Sequence, residues 1–504
     1  MIEIVDTTLR DGEQTSGVSF AAHEKLSITQ ALLNDLGVNR IEIASARVSD
    51  GEFEAVKKIA AWAQKAGHLN QLEVLGFVDD EVSLNWIESA GCRVDNLLCK
   101  SSIKHLSGQL HKTPEEHIAD ITNILRKAEE RHIDVNLYLE DWSNGISQSP
   151  DYVFQFMDAL KDMPVKHFML PDTLGVLNPD STYHYCKMMI ERYPTLQFDF
   201  HPHNDYDLAV ANTFAAIKAG IKCIHATVNG LGERAGNAPL SSVIAVIKDQ
   251  LGEETSLKEE KINHVSKLVE TYSVIRIPPN KPIIGESVFT QCAGVHADGD
   301  SKNHLYSNAL LPERFGRIRE YALGKTSGKA NIRRNLEALG IDLDEESMKK
   351  VTERIIELGD KKEVVTQEDL PYIVSDVLHH DNMQENQKIR LLNYSLSLAQ
   401  GLKPVATIKI EIADEAYEQS ASGDGQYDAF VRALRRIYAD LGKPFPMLTN
   451  YAVSIPPGGR TDAFVQTVIS WNFAGVNFKT QGLDADQTEA AIKATLKMLN
   501  KIEQ

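Results

Sequence analysis

The sequence predicts a (β/α)8 barrel followed by a helical linker region and a carboxyl-terminal α+β domain. Three observations point there. Short β-branched apolar runs alternate with helical patterns from residue 2 to residue 251. The chemically loaded residues fall at the carboxyl ends of those runs, where such barrels carry their sites. Beyond residue 388 the chain changes to alternating runs joined by helices, with two similar turns.

The eight strand-like runs are Ile2–Thr8, Arg40–Ala46, Leu72–Val78, Val94–Cys99, Asp134–Leu139, Val165–Leu170, Gln197–His201 and Lys222–Val228. Helical patterns lie between them, among them Ala22–Leu36, Gly51–Ala66, Asp151–Lys161, Asp180–Arg192, Leu208–Ala219 and Leu240–Leu251. That alternation is the signature of a parallel barrel. A doubly wound open sheet would show a glycine-rich phosphate turn after its first strand, and here that turn reads LRDGEQ (Leu9–Gln14).

Residues 1–258 are therefore expected to form the barrel. Residues 259–388 read as helical linker subdomains whose loops, notably Pro278–Asn308, reach back over the site. The polar segment His379–Lys388 marks a boundary, and residues 389–504 form the last domain. There the runs Leu391–Leu398, Val405–Ile412, Leu448–Ile455 and Thr461–Trp471 are joined by helices at Asp428–Leu441 and Ala485–Asn500. The turns GDGQYDAF (Gly423–Phe430) and PGGRTDAF (Pro457–Phe464) resemble each other, which hints at a duplicated β-β-β-α unit.

Composition excludes several classes of function. A formal charge of −18 argues against nucleic-acid scaffolds and anionic membrane surfaces. No uncharged apolar stretch reaches the ~18 residues that span a bilayer, and the amino terminus lacks a basic-then-apolar signal pattern. The five scattered cysteines, with no CxxC pair, read as reduced and mostly buried thiols. The expected location is the cytoplasm.

The chemistry gathers on strands one, seven and eight, which are neighbours only if the sheet closes. Asp11 follows strand one. His201 and His203 end strand seven and, two apart, share a face. Asn237 lies in the loop after strand eight. A lone His-x-His can equally be a polar strand end, but a carboxylate, two imidazoles and an amide oxygen in register make a site for a divalent cation, with open positions for water and a bidentate 2-oxo acid. Mg, Mn and Zn all accept such a set. Arg10, beside Asp11, is placed to stabilise a developing alkoxide. Glu42, Glu140 and Thr173 also sit at strand ends, as acid–base groups or as structural anchors. Gly324-Lys325-Thr326 is no Walker A tail, because the required glycine is Arg319.

TTLRDGEQ (Thr7–Gln14), HPHND (His201–Asp205), NGLGERAGN (Asn229–Asn237) and GVHADG (Gly294–Gly299) together resemble the 2-isopropylmalate/citramalate/homocitrate synthase family over nearly the whole chain. The resemblance implies an acyltransferase that condenses acetyl-CoA with a 2-oxo acid and hydrolyses the thioester. It implies that Asp11, His201, His203 and Asn237 hold the metal and that Arg10 stabilises the oxyanion. It implies that His296 and Tyr306 act with Glu140 on the acetyl group. The last domain resembles the family's dimeric allosteric domain, which implies a homodimer binding a branched-chain amino acid. Tyr427, Asp428, Ala429, Asp462 and Ala463 in the paired turns are then its candidate contacts.

Within the family, RIEIASARVS (Arg40–Ser49) and YLEDWSNG (Tyr138–Gly145) look most like bacterial citramalate synthases. Pro202 and His304 depart from the commoner pattern; a proline is tolerable at a strand end. Leu75, Leu98 and Tyr138, at the ends of strands three, four and five, would wall a pocket sized for the methyl group of pyruvate. Pyruvate condensation under isoleucine control is the expectation. 2-Isopropylmalate synthesis from 2-oxoisovalerate under leucine control is the nearest alternative. A lyase on the same barrel, or an inactive amino-acid sensor, are the readings of other classes.

Overall fold

The computed structural model describes residues 1–293, 296, 299, 305, 307–360, 365, 367–378, 388–454, 465–484 and 486–503. It divides into two compact units, Met1–Phe289 with Ser307–Arg319, and Thr290–Tyr306 with Glu320–Gln504.

The first unit is a closed barrel of eight parallel strands in sequence order: β1 (Glu3–Asp6), β2 (Arg40–Ser45), β3 (Leu72–Phe77), β4 (Val94–Lys100), β5 (Asp134–Glu140), β6 (Val165–Asp172), β7 (Phe198–Pro202) and β8 (Cys223–Ala226). Each lies within two residues of the expected run. β8 closes on β1, with Val5 opposite His225 and Asp6 opposite Ala226. β1 stops early because the carbonyl of Thr7 turns back to accept from the N–H groups of Arg10, Asp11 and Gly12 at 2.8–3.2 Å.

Local signals fix the surrounding helices. Ser49 caps Asp50–Ala66 by accepting from the Glu52 N–H, and Gly67 ends that helix at φ 81°. Thr113 and Glu116 form a capping box on Pro114–Glu130. The expected helix Ala22–Leu36 is α-helical only to Gln30; Ala31–Leu36 widens into a π-helix before Gly37.

Apolar side chains fill the space between strands and helices, whereas much of the barrel's interior is polar. Arg40 donates to Glu73 and Asp199 at 2.6 Å each. Asn96 donates to Glu42 and Glu73 at 3.0 Å each, and Asn136 donates to Asn96 at 2.8 Å. Buried polar groups persist where each finds a partner, and this mesh supplies partners to most of its members. At the carboxyl end of the strands the mesh gives way to a small apolar cluster of Leu75, Tyr138 and Met169, with Leu98 packed against it.

The first unit runs past the expected limit at residue 258. Helix Ile262–Ser273 buries Ile262, Val265 and Val269 in the barrel's own apolar cluster, as do Ile283, Ile284 and Phe315. Arg314 returns to pair with Asp249 at 2.7 Å and with Glu259 at 2.5 Å. An amphipathic helix needs cover for its apolar stripe, and here the barrel provides it.

In the second unit, one apolar cluster joins helices Lys329–Ala338, Glu345–Asp360 and Leu370–Leu378. Another joins two β-β-β-α repeats. Strands Ile389–Ser397, Val405–Ile412 and Glu415–Ser422 precede helix Gln426–Asp440. Strands Met447–Ser454, Val465–Phe473 and Val476–Asp484 precede helix Gln487–Ile502. Each sheet is an antiparallel meander whose central strand faces its helix, through Ile408 and Ile410 in the first and Ile469 and Trp471 in the second. The β-β-β-α duplication is present, but the paired turns do not mark equivalent points of it. Gly423–Phe430 leads from the third strand into the helix of the first repeat, whereas residues 457–464 fall between the first and second strands of the second repeat, outside the described residues. Four of the five cysteines are buried and Cys292 is exposed. Among the described residues, no helix is long and apolar enough to cross a membrane.

Candidate active site

The seam where β1, β7 and β8 meet gathers the expected metal ligands. Asp11 sits in the turn after β1, and His201 lies in β7 with His203 one residue beyond its end. Asn237 pairs with His203 in an isolated antiparallel bridge. All four are buried. Asp11 Oδ2 lies 3.1 Å from His201 Nε2, 3.5 Å from His203 Nε2 and 3.0 Å from Asn237 Nδ2.

Glycines make room for this. Gly236 has φ 84°, and a Cβ there would fall 2.0 Å from the Gly230 carbonyl oxygen. A Cβ on Gly232 would fall 2.8 Å from the Asn237 side-chain oxygen. Arg234 clamps the same loop by donating to both oxygens of Asp205 and to the Thr173 carbonyl.

Electrostatics suits a cation. Burial alone would raise the Asp11 carboxyl, but the Arg10 guanidinium beside it holds it well below the usual carboxylate range. Burial pushes His201 down to about 3 and lowers His203 as well, so both imidazoles are neutral near pH 7 and offer lone pairs. Asp11 Oδ1, Asn237 Oδ1 and His203 Nδ1 are buried without a hydrogen-bond partner. Unpaired buried acceptors are costly, and two of these three atoms belong to a carboxylate and an amide beside the imidazoles. Ligand atoms of Asp11, His201 and His203 lie within 4.8 Å of one another. The residues present fit a divalent ion, which Asp11, His201, His203 and Asn237 would hold.

Arg10 adjoins the ligands. Its Nε donates to Glu42 at 2.5 Å, its Nη1 lies 3.4 Å from Asp11, and its Nη2 donates to the Tyr138 hydroxyl at 3.3 Å. Burial works against its charge, yet Glu42 and Asp11 more than restore it. Burial likewise holds the Tyr138 phenol well above its ordinary range, so it is neutral. Glu42 thus anchors Arg10. Thr173 accepts from the Asp141 N–H at 2.9 Å and so anchors the end of β5. Leu75, Leu98 and Tyr138 come together as one wall, and Met169 of β6 completes it.

Glu140, at the end of β5, pairs with Lys100 of β4, and His105 Nδ1 lies 3.8 Å away. His296 is exposed and belongs to the second unit; Tyr306 lies outside the described residues. Of the proposed regulatory contacts, Tyr427 bonds the Thr495 hydroxyl at 2.7 Å, Asp428 accepts from the Asp424 N–H at 2.8 Å, and Ala429 is fully buried. Asp462 and Ala463 lie outside the described residues.

Sequence reasoning missed Met169, Lys100, His105 and the group of Arg40, Asp199 and His225 behind the histidines. The signal for the last group was present: Arg40 and Glu42, and Asp199 and His201, are polar at every second position of apolar strands.

Comparison with known proteins agrees with the fold. The family described as HMGL-like matches residues 1–269, the homocitrate synthase post-HMGL domain-like family matches residues 283–363, and the LeuA allosteric (dimerisation) domain matches residues 364–503. A Methanopyrus kandleri protein provisionally named (R)-citramalate synthase is 33% identical over 464 residues, 92% of this chain and 88% of that one. The (R)-citramalate synthase of Methanocaldococcus jannaschii is 32% identical over 506 residues, covering 100% of this chain and 99% of its own. The 2-isopropylmalate synthase of the same organism is 32% identical over 512 residues, 99% of this chain and 94% of its own.

Proposed function

Because this chain belongs to the HMGL-like family, among its 2-isopropylmalate/citramalate/homocitrate synthases, we propose that it is an acyltransferase joining the acetyl group of acetyl-CoA to pyruvate, giving (R)-citramalate and free CoA. The observation that carries the choice of pyruvate is the apolar wall of Leu75, Leu98, Tyr138 and Met169, whose tyrosine also bonds Arg10. Such a wall suits a methyl group and crowds a branched one. The equal identity to a 2-isopropylmalate synthase keeps 2-oxoisovalerate as the second reading.

A bound divalent ion would polarise the keto group of a 2-oxo acid chelated through its carboxylate and keto oxygens. Everything else falls to the chain's own residues. Arg10, held by Glu42, presents a fixed guanidinium to the negative charge that develops on the keto oxygen, without reorganising during the reaction. Tyr138 remains neutral and accepts from Arg10 while its ring limits the acceptor's size. Glu140, held by Lys100, acts with His296 and Tyr306 in moving a proton from the acetyl methyl, the role the family resemblance gives them. Water then cleaves the thioester, which draws the condensation forward. The carboxyl-terminal repeats form a dimerising regulatory domain that binds isoleucine, and the reaction is thereby feedback-controlled in isoleucine biosynthesis.

The test is a panel of 2-oxo acids with acetyl-CoA, following thiol release. Pyruvate should give the highest kcat/KM. A higher value with 2-oxoisovalerate would make this a 2-isopropylmalate synthase, and no release with any acid would leave an inactive sensor.

A further inference from the structure

A file of buried side chains stands behind His201, on the side away from Asp11. His201 Nδ1 lies 3.3 Å from Nδ1 of His225, which β8 brings alongside. His225 Nε2 lies 3.3 Å from Oδ2 of Asp199. Asp199 accepts from Arg40 at 2.6 Å, and its other oxygen lies 2.8 Å from His167 Nδ1. Asp199, His201 and His225 are all buried.

The trio Asp199, Cys223 and His225 has the composition of a second metal site. Arg40 decides against that, because its Nη2 already sits 2.6 Å from Asp199 and 2.9 Å from the Cys223 sulfur. A fixed guanidinium occupies the place that an ion would need.

The order of donors and acceptors gives the file another role. A ligating imidazole must offer a lone pair, and the atom of His201 that faces Asp11 and His203 is Nε2. Its proton then resides on Nδ1, where the neighbouring acceptor is His225 Nδ1. For that nitrogen to accept, the His225 proton must sit on Nε2. There it meets Asp199, an ion-paired carboxylate that can only accept. The sequence of bonds is consistent in one direction. Tyr138 holds the two rings from the side, its own ring edge-on to His201 at 5.4 Å and to His225 at 5.9 Å between centroids.

We propose that His225, oriented by Asp199, is a positioning residue for His201: it accepts the Nδ1 proton and so directs the Nε2 lone pair into the site shared with Asp11 and His203. The proposal rests on the reading of that site as a metal centre. Partners of this kind in other metal sites change metal affinity by ~10–100-fold when removed.

The test is Mn2+ binding to the full-length chain by titration calorimetry, with circular dichroism as the check on folding. His225→Leu should weaken Mn2+ binding at least tenfold. His225→Gln, which can still accept on one side and donate on the other, should recover part of the loss. Equal affinity in folded His225→Leu and in the unaltered chain would overturn the proposal. Absence of Mn2+ and Zn2+ binding in the unaltered chain would instead overturn the metal reading beneath it. Should His225→Leu fail to fold, imidazole 15N NMR of the unaltered Zn2+-loaded chain decides: Nδ1–H on His201 with Nε2–H on His225 supports the proposal, and any other pair of tautomers refutes it.

Discussion

Tyr138 is where acceptor size and charge stabilisation meet, and two substitutions separate them. Its ring belongs to the wall with Leu75 and Met169, and its hydroxyl accepts from Arg10 at 3.3 Å. Tyr138→Phe keeps the wall and removes the acceptor. A long hydrogen bond from a charged donor is worth roughly 1 kcal/mol, so kcat/KM should fall about fivefold for pyruvate and 2-oxoisovalerate alike, with their ratio unchanged. Tyr138→Ser removes the ring. 2-Oxoisovalerate carries two more carbon atoms than pyruvate, and each is worth ~1–3 kcal/mol in a tight apolar pocket. The unaltered enzyme should therefore prefer pyruvate by ~2–6 kcal/mol, at least about thirtyfold, and the serine variant should lose ~1–3 kcal/mol of that preference. The cavity left behind costs stability as well, on the order of 3–5 kcal/mol for loss of a buried aromatic, so a melting curve must accompany the kinetics. The assay is thiol release at varied concentrations of each acid. A preference that survives Tyr138→Ser undiminished would refute the wall as the discriminating element.

Four further outcomes are expected. His203→Ala should lose both activity and Mn2+ retention while keeping its circular dichroism spectrum; full activity of this variant after chelation would remove the metal from the reaction. Gly236→Ala should disrupt the loop that carries Asn237, because its Cβ would meet the Gly230 carbonyl and its φ is positive; a loss of ~2–4 kcal/mol in denaturant unfolding is expected. Burial, with Asp79 adding to it, pushes the Asp95 carboxyl up to about 8. The folded chain then binds this proton more tightly than the unfolded one, so stability present at acid pH is lost as pH rises toward 8, by up to ~1.4 kcal/mol per pH unit. Melting temperatures of Asp95→Asn between pH 5 and pH 8 should fall less steeply than those of the unaltered chain. Isoleucine should inhibit without competing with either substrate, and deletion after Lys388 should remove that inhibition; indifference of the intact enzyme to both isoleucine and leucine would end the regulatory reading.

The barrel was legible because short β-branched stretches recur between helical patterns, even where Arg40, Glu42, Asp95 and Asn96 interrupt them. The third strands of the carboxyl-terminal repeats were expected from the β-β-β-α pattern but could not be placed, because little in their residues marks them. Glu415–Ser422 reads EAYEQSAS, with neither valine nor isoleucine and much of its length exposed. In Val476–Asp484, Gly482 stands where a helix approaches so closely that a Cβ would meet the Ala490 carbonyl oxygen. At the site, Asp11, His201, His203 and Asn237 were legible because strand ends and period-two spacing place them. The partners of Arg10 and Glu140 were not. Glu42 could be named as a strand-end acid, but its bond to Arg10, like that of Lys100 to Glu140, depends on which strands become neighbours. That helix Ile262–Ser273 packs on the barrel was not legible, because nothing local reveals which surface its apolar stripe will meet.

Closure of the barrel has a consequence for the order of folding. Asp11 and Asn237 are bonded across 226 positions of chain, and Thr8 and Val228 across 220. Such contacts form late, since the ends of a long loop must first be brought together. A lengthening chain thus lacks the full ligand set until the eighth strand and the loop behind it have docked against the first. Metal uptake would then mark completion of the barrel, and a chain opened at the seam between β1 and β8 would release its ion while most of its helices remained in place.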